Sequence, residues 1–404
     1  MKKSSGLVFL VAAVIFVALF IGNYGNYQLA AVPGTIMQTY NLGAMEFSSL
    51  MTGPMLPCIF LSIIVGVLVD RFGIPKVVGI CLIISAIGMV MRVFATDYMT
   101  MLIAMALMGF GCMVLNGNLA KIASSMYPME KVSGFVGIMM AASTAAMAVA
   151  YGTTFAFPNL EIMFWVPAII DIVVVVCWFL FARKSVFATN DAPEAPADDQ
   201  ASIGESLATC FKSKNVWLTG ISLMFMLGGA MVIANFHVAA ATEMLGYTEA
   251  MAGSFNTVLM VGSALGSIVM PIFVTKFPSK APISVLILGI IAAASAIGMV
   301  TLPAAGIYVT GFLNGALRSG IIAVMMMIPV MFPEIGPRYA GTAGGVVVTL
   351  ELVGAVIIPT YIVVPLAAGS YLMYFYLAAA AILISVIICT IMIKTSGAFG
   401  AKEK

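Results

Sequence analysis

Charged side chains are scarce in this chain. Asp, Glu, Lys and Arg make up 8% of its 404 residues, whereas 62% are hydrophobic and the mean hydropathy is +1.14. A soluble protein carries roughly a quarter charged residues, so this composition excludes a soluble fold. Apolar runs of about 20 residues recur along the chain, and each is long enough to cross a bilayer as a helix. The sequence therefore predicts an all-α membrane protein with many spans.

Histidine and paired cysteines are lacking as well. A single histidine, His237, cannot supply the clustered side chains that a membrane enzyme needs, and the six cysteines show no paired spacing. We therefore expect no enzyme activity, no metal site and no other cofactor, and we interpret the cysteines as packing residues. A receptor would normally carry a soluble output domain, yet no polar stretch is longer than 183–214. We also expect no nucleic-acid partner.

The apolar runs predict twelve transmembrane helices in two groups of six. The polar segment 183–214 separates an N-terminal bundle, 1–182, from a C-terminal bundle, 215–404. Its Ala-Pro repeats and charges are typical of a flexible linker. The run Ser-Ala-Ile-Gly-Met-Val occurs at 85–90 and again at 295–300, so we expect two pseudo-symmetric bundles. The first span is predicted to start near Gly6. The other eleven are predicted near 45–69, 77–95, 99–123, 133–157, 161–182, 216–240, 250–274, 282–302, 305–331, 339–364 and 369–393.

Basic residues predict the orientation. With the N-terminus inside, every Lys and Arg except Arg92, Lys121 and Arg318 falls in a cytoplasmic segment. Cytoplasmic loops of membrane proteins carry an excess of these residues. We therefore expect a multi-pass protein of the cell membrane (the inner membrane of a bacterium) with both termini in the cytoplasm. The first apolar run is too long for a signal peptide and is expected to stay in the mature protein.

A charged turn between spans two and three carries a family resemblance. Gly66, Asp70, Arg71 and Gly73 match the pattern G-x-x-x-D-R-x-G-R-R, although Ile74 and Pro75 replace the usual basic pair. With twelve spans arranged as six plus six, this turn resembles that of the major facilitator superfamily of secondary transporters. The resemblance implies that these four residues gate the cytoplasmic side, and that spans one, four, seven and ten line a central cavity.

Two departures from the pattern argue against a drug/proton antiporter. Met105 stands where many such antiporters have an arginine in span four, and the segment 133–157 lacks the prolines of their span five. A weaker resemblance, carried by Gly88-Met-Val-Met-Arg92, is to the cyanate-type porters of the superfamily.

Ionisable residues inside spans are the main candidates for function, because burying a charge in a bilayer costs at least a few kcal/mol. Arg318 lies near the middle of span ten, and Asn314 lies one turn earlier on the same face. A guanidinium suits a carboxylate substrate. Glu351, near the middle of span eleven, could be a proton site that loses its counter-ion when substrate takes Arg318. The alternative is a permanent Arg318–Glu351 pair that locks the two helices.

Six further residues are candidates with open alternatives. Tyr24 and Tyr27 end span one and could line the substrate pocket or form an interfacial belt. Asn118 and Lys121 could contact an anion, although Lys121 could instead snorkel to the interface. Asp171 and His237 could take part in proton coupling, or they could serve packing.

The sequence thus predicts a symporter that carries a small organic anion by alternating access, with protons as the coupling ion. The protein is expected to act as a monomer in the lipid bilayer. The alternative is a proton-driven multidrug or metabolite efflux pump, whose adaptable apolar site would use some of the 32 methionines and 25 phenylalanines.

Overall fold

The computed structural model describes residues 5–187 and 203–398, and this part of the chain is helical, without strands. Twelve of its helical segments are long and apolar enough to cross a membrane. The prediction of an all-α membrane protein with twelve spans is therefore confirmed. The α-helices, in chain order, are α1 (Ser5–Ala31), α2 (Pro33–Thr39), α3 (Ala44–Thr52), α4 (Leu56–Phe72), α5 (Ile74–Val93), α6 (Tyr98–Met126), α7 (Met129–Thr153), α8 (Leu160–Phe181), α9 (Ile203–Lys212), α10 (Lys214–Ala239), α11 (Glu249–Lys276), α12 (Ala281–Thr301), α13 (Ala304–Met327), α14 (Gly336–Ile357), α15 (Val364–Ala367) and α16 (Tyr371–Ser396).

The chain divides into two compact units, Met1–Pro193 and Glu194–Lys404. In the first unit α1 packs against α7 and α8, α5 packs against α6 and α8, and α4 packs against α6. A core of buried apolar side chains, with Leu19, Leu115 and Trp178 among its members, joins these helices. Apolar side chains also face outwards, as in Ile87 and Phe179. Helices that are hydrophobic on all sides suit a lipid surround.

The second unit repeats the packing pattern of the first. Here α10 packs against α14 and α16, α12 packs against α13 and α16, and α11 packs against α13. Each of these pairs corresponds to a pair in the first unit, with α10 in the place of α1. The six-residue repeat at 85–90 and 295–300 is thus part of a larger repeat, in which six helices of one unit correspond to six helices of the other.

Proline interrupts one of the predicted spans. We expected a single helix over 45–69, but α3 ends at Thr52, a 3-10 turn covers Gly53–Met55, and α4 begins at Leu56. Pro54 causes the break, because proline has no N–H to donate and its ring clashes with the preceding turn. A second departure contains Pro359: after α14 the chain forms a π-helical segment, Ile358–Val363.

The predicted linker, 183–214, is only partly described, since 188–202 lie outside the described residues. Its last part forms α9, which packs against α14. The Tyr339 hydroxyl donates to Glu205 Oε1 at 2.7 Å and ties the two helices together. The amphipathic pattern of α9 explains why a stretch that looks polar as a whole contains a helix. Ser206 and Cys210 are buried, and Cys210 Sγ lies 3.9 Å from the Tyr339 carbonyl oxygen of α14, whereas Leu207 and Phe211 form an exposed apolar face.

Candidate functional site

The second unit buries a cation and an amide one helical turn apart on α13. Arg318 is 7% exposed and Asn314 is fully buried. The Nε of Arg318 donates to Asn314 Oδ1 at 3.4 Å, while Asn314 Nδ2 donates to the Ala292 carbonyl of α12 at 2.9 Å. The carbonyl thereby fixes the orientation of the amide, and the amide oxygen faces the guanidinium. Asn314 acts on Arg318 as a positioning group.

A close crossing of α11 and α13 determines where Arg318 lies within this unit. A Cβ on Gly266 would lie 1.8 Å from the Ala316 carbonyl oxygen, and one on Gly315 would lie 2.0 Å from that of Leu259. Backbones approach this closely only where side chains are absent, as in other glycine-rich helix pairs in membranes. The crossing is two to three residues before Arg318 in sequence, so it holds that turn of α13 against α11.

Glu351 is also buried, with 8% of its surface exposed, but it belongs to a different packing arrangement. Its helix, α14, packs chiefly against α10, whereas α13 packs chiefly against α11 and α12. The helix α10 contacts both. Two ionisable groups of opposite charge are therefore buried in the same unit on helices with different principal neighbours.

His237 joins three helices of the second unit. It is fully buried on α10, with its Nδ1 2.8 Å from Asn256 Oδ1 of α11 and its Nε2 3.3 Å from the Met299 carbonyl of α12. The rings of Phe255 and Phe375 also lie near it, with centroids 6.3 and 5.7 Å from that of the imidazole. Each ring nitrogen therefore faces a polar atom, one on α11 and one on α12. A change in its protonation would alter contacts with both α11 and α12.

The two tyrosines of α1 contact α7 inside the first unit. The Tyr24 hydroxyl lies 3.2 Å from Thr153 Oγ1, and the ring of Tyr27 meets that of Tyr151 edge-on at 5.8 Å. Both tyrosines are buried. These contacts join α1 to α7 inside the unit.

Asp171 takes part in a short polar chain between α5, α6 and α8. The Ser85 hydroxyl lies 3.1 Å from both Asp171 Oδ2 and the Met108 carbonyl oxygen. The Ser85 hydroxyl is the donor in both contacts, so it links the Asp171 carboxyl to the backbone of α6. Asp171 is 2% exposed, so this carboxyl lies inside the packed unit.

Arg92 is the site that sequence reasoning missed. It is fully buried near the end of α5, where its Nη1 donates to the Gly25 carbonyl and its Nη2 donates to Gln28 Oε1 at 3.0 Å. The ring of Phe164 lies 4.5 Å from its Cζ, a cation–π contact. Gln28 in turn donates to the Met163 carbonyl of α8 at 2.9 Å. An arginine inside a span was the available signal, but its position near the predicted end of the span made it resemble an interfacial residue.

The charged turn lies at one end of the first unit. Gly73 ends α4 with φ of +84°, a conformation that side chains rarely adopt, so the backbone itself requires glycine there. Arg71 is exposed, with its Cζ 5.4 Å from the Phe72 ring centroid, and a Cβ on Gly66 would meet nothing within 4 Å. The structure describes the backbone of Asp70 but not its side chain.

Asn118 and Lys121 lie towards the same end, on α6. Asn118 donates to the Val114 carbonyl of its own helix at 3.0 Å, and Lys121 is exposed. Sequence proximity placed these two residues together, but their environments differ: the amide is buried and the ammonium group reaches the surface.

Comparison with known proteins identifies the family. Residues 8–359 match the family model of the Major Facilitator Superfamily. A facilitated glucose transporter of Danio rerio, solute carrier family 2 member 10, is 23% identical over 184 residues, which are 43% of this chain and 36% of that protein. The chain thus spans about a third of the length of this curated relative.

Two solved structures share the fold. A bacterial homologue of the human lysosomal transporter Spinster, in an inward-facing and unoccupied conformation, superposes with a TM-score of 0.78 at 15% identity, covering 99% of this chain and 98% of that one. The nucleoside transporter NupG superposes with a TM-score of 0.77 at 14% identity, covering 96% of this chain and 99% of that one. The family model spans most of the chain, and the structures extend the likeness to nearly all of it. The chain is therefore a multi-pass membrane protein and a member of the Major Facilitator Superfamily.

Proposed function

We propose that this transporter carries a small organic anion of the carboxylate type, with protons as the coupling ion, by alternating access in the cell membrane. The observation that supports the substrate class is the buried Arg318, held by Asn314 on α13. A fixed cation inside a membrane span needs an anionic partner. A guanidinium offers a planar pair of donors that matches a carboxylate.

Glu351 is the proton site in this proposal. It is buried in the same unit, but its helix packs chiefly against α10, while α13 packs against α11 and α12. This arrangement supports separate roles for Glu351 and Arg318 over a permanent pair that locks neighbouring helices. A carboxylate buried among apolar side chains takes up a proton readily when no cation lies nearby. Asp171 and His237 remain further candidates for proton transfer, and both termini are proposed to be cytoplasmic and the protein monomeric.

The substrate role of Arg318 is tested by Arg318→Lys. The lysine keeps the charge but loses the bidentate geometry, so we expect the dissociation constant for a bound carboxylate to rise about tenfold or more while the protein stays folded. Binding to the purified protein is measured by isothermal titration calorimetry. The control is Arg183→Lys, which makes the same change at an exposed residue outside the spans. Equal affinity in Arg318→Lys and the control would refute the proposed contact.

The proton role of Glu351 is tested by Glu351→Gln in proteoliposomes. The amide mimics the protonated acid, so exchange of the substrate should continue, while uptake driven by an imposed pH gradient should be lost. Glu161→Gln, at an exposed acid, is the control. The double variant Arg318→Met/Glu351→Gln separates the alternative: a purely structural pair predicts that this variant regains both stability and transport, which would contradict the anion carrier.

A further inference from the structure

A basic cavity of about 720 Å³ lies within the first unit, at the end that carries the charged turn. Four basic side chains line it, and each comes from a different element: Arg71 from α4, Lys76 from α5, Lys121 from α6 and Lys184 from the 3-10 turn after α8. Arg71 and Lys76 flank one turn, whereas Lys121 and Lys184 come from distant parts of the sequence and reach this cavity through the fold. The cavity is distinct from the buried groups described above.

The described lining residues of this cavity include no acid. All four basic residues are exposed at the surface of the unit, so their charged groups are accessible to a ligand. Ser124 and Ser125 also line the cavity, but their hydroxyls donate to the backbone carbonyls of Lys121 and Ile122 at 3.1 and 2.7 Å. The attraction for a ligand therefore comes from the cations. Like charges that converge on one cavity repel each other unless an anion lies between them.

The lining between the basic side chains is largely apolar, and contacts behind it hold it in place. The indole of Trp178 donates to the Pro75 carbonyl at 2.9 Å, and its ring packs against that of Phe187 at 6.0 Å. These contacts hold the start of α5 and the chain after α8 together. Phe72 is 50% exposed beside the charged groups. A cluster of cations next to exposed apolar surface matches an amphiphile with an anionic head.

We propose that this cavity binds a phosphate group, and specifically the headgroup of an anionic phospholipid. Basic residues near the cytoplasmic membrane surface attract anionic lipids, and basic pockets between membrane helices bind their headgroups. The positive-inside pattern predicts this face to be cytoplasmic. The exposed Phe72 offers a surface for an acyl chain, which a soluble phosphate lacks. The inference concerns the first unit alone and does not depend on the transported substrate.

The test compares lipid binding by the full-length protein and by Lys76→Gln/Lys184→Gln. Each sample is titrated with phosphatidylglycerol or phosphatidylcholine in neutral detergent, and the bound lipid is counted by native mass spectrometry. The intact protein should prefer phosphatidylglycerol. The double variant lacks two basic residues that each contribute about 1 kcal/mol near an anionic lipid, so it should bind phosphatidylglycerol about thirtyfold more weakly. Binding of phosphatidylcholine should not change.

The matched control is Lys276→Gln/Lys280→Gln. These lysines lie in the corresponding loop of the second unit, each with its Nζ 5.8 Å from the Phe277 ring centroid. The control removes the same amount of charge from a loop that does not line the cavity. Its binding of phosphatidylglycerol should therefore equal that of the intact protein. The variant Lys76→Arg/Lys184→Arg should also retain binding, which separates loss of charge from damage to the fold.

Competition with inorganic phosphate distinguishes a lipid headgroup from a soluble phosphate ion as the ligand. If millimolar phosphate displaces phosphatidylglycerol from the intact protein, the cavity is a phosphate site that soluble ions share. If phosphate does not compete, the lipid is the ligand, as proposed. Equal binding of the two lipids by the intact protein, or an equal loss in both glutamine variants, would overturn the proposal.

Discussion

Gln28 is a single residue on which a buried charge depends. Its Oε1 accepts from Arg92, and its Nε2 donates to the Met163 carbonyl, so one amide joins α1 to α5 and α8. An uncharged side chain can satisfy a cation and a carbonyl at once because an amide carries both an acceptor and donors. The arrangement leaves Gln28 with both ends of its amide bonded and no exposed surface.

Replacing Gln28 tests this dependence. In Gln28→Met the shape is nearly kept, but Arg92 loses an acceptor and the Met163 carbonyl loses its donor. We expect the free energy of unfolding to fall by about 2–3 kcal/mol, as for other hydrogen bonds to buried charges. Thermal denaturation in detergent measures the change. Gln38→Met, at an exposed position of α2, should leave the melting temperature within a degree or so of the parent.

At the residue scale, spacing within one helix was predictable and pairing between helices was not. Arg318 and Asn314 are four apart, so the helical period alone places them on one face. The partners of Arg92, in contrast, lie on α1, more than 60 residues earlier in the chain. Which face of α1 meets which face of α5 depends on packing, and no periodicity in the sequence encodes it. The link between His237 and Asn256 was missed for the same reason.

At the scale of helices, the crossing of α11 and α13 makes the most specific demand on the sequence. Gly262 and Gly266 recur every fourth residue on α11, and Gly311 and Gly315 do so on α13. The close approach places the Ala316 carbonyl where a Cβ on Gly266 would stand. Helix pairs of this kind gain stability from backbone contact that any side chain would prevent.

The variant Gly266→Ala tests the crossing. The added methyl must push α13 away from α11, since the atoms it meets are backbone, and we expect a loss of stability of about 2 kcal/mol or more. Carboxylate binding at Arg318 should weaken as well, because Ala316 lies on the same turn. Gly345→Ala is the control, since its Cβ would meet nothing within 4 Å. A melting temperature equal to that of the control would show that the two helices are not in contact as described.

The helices themselves were largely predictable from hydropathy, while their irregularities were not. All twelve spans could be placed because each apolar run is long enough to cross a bilayer. The break at Pro54 could have been foreseen, yet prolines are tolerated within many membrane helices, so proline alone does not locate a break. The helix α9 was obscured by averaging over a polar segment whose apolar residues share one face.

At the scale of the whole molecule, the class of ligand that stabilises the protein distinguishes the proposed anion carrier from the alternative, an efflux pump. We expect small carboxylates to raise the melting temperature of the purified protein, whereas amphipathic drugs should not. A ligand at 100 times its dissociation constant stabilises the folded state by about 2.7 kcal/mol, which a thermal-shift screen detects. The variant Arg318→Lys should lose the response to carboxylates. Stabilisation by drugs alone would favour the efflux pump.

The repeat was the part of the global architecture that the sequence revealed most directly. Two copies of a six-residue run predicted two related halves, and the two units share the same set of helix pairs. Polar clusters do not follow this symmetry. Arg92 has no counterpart in α12, and Arg318 has none in α6, because function requires different chemistry in the two units while packing does not.

The glycine crossing of α11 and α13 also bears on the entropy of binding. Backbones in direct contact leave little room for either helix to bend, so the turn that carries Arg318 and Asn314 is already ordered before a solute arrives. A preorganised site costs less conformational freedom on binding. In the proposed carrier, the stiffness of this pair would allow a single cation to hold a small ligand with few contacts, and such weak attachment would favour release of the ligand.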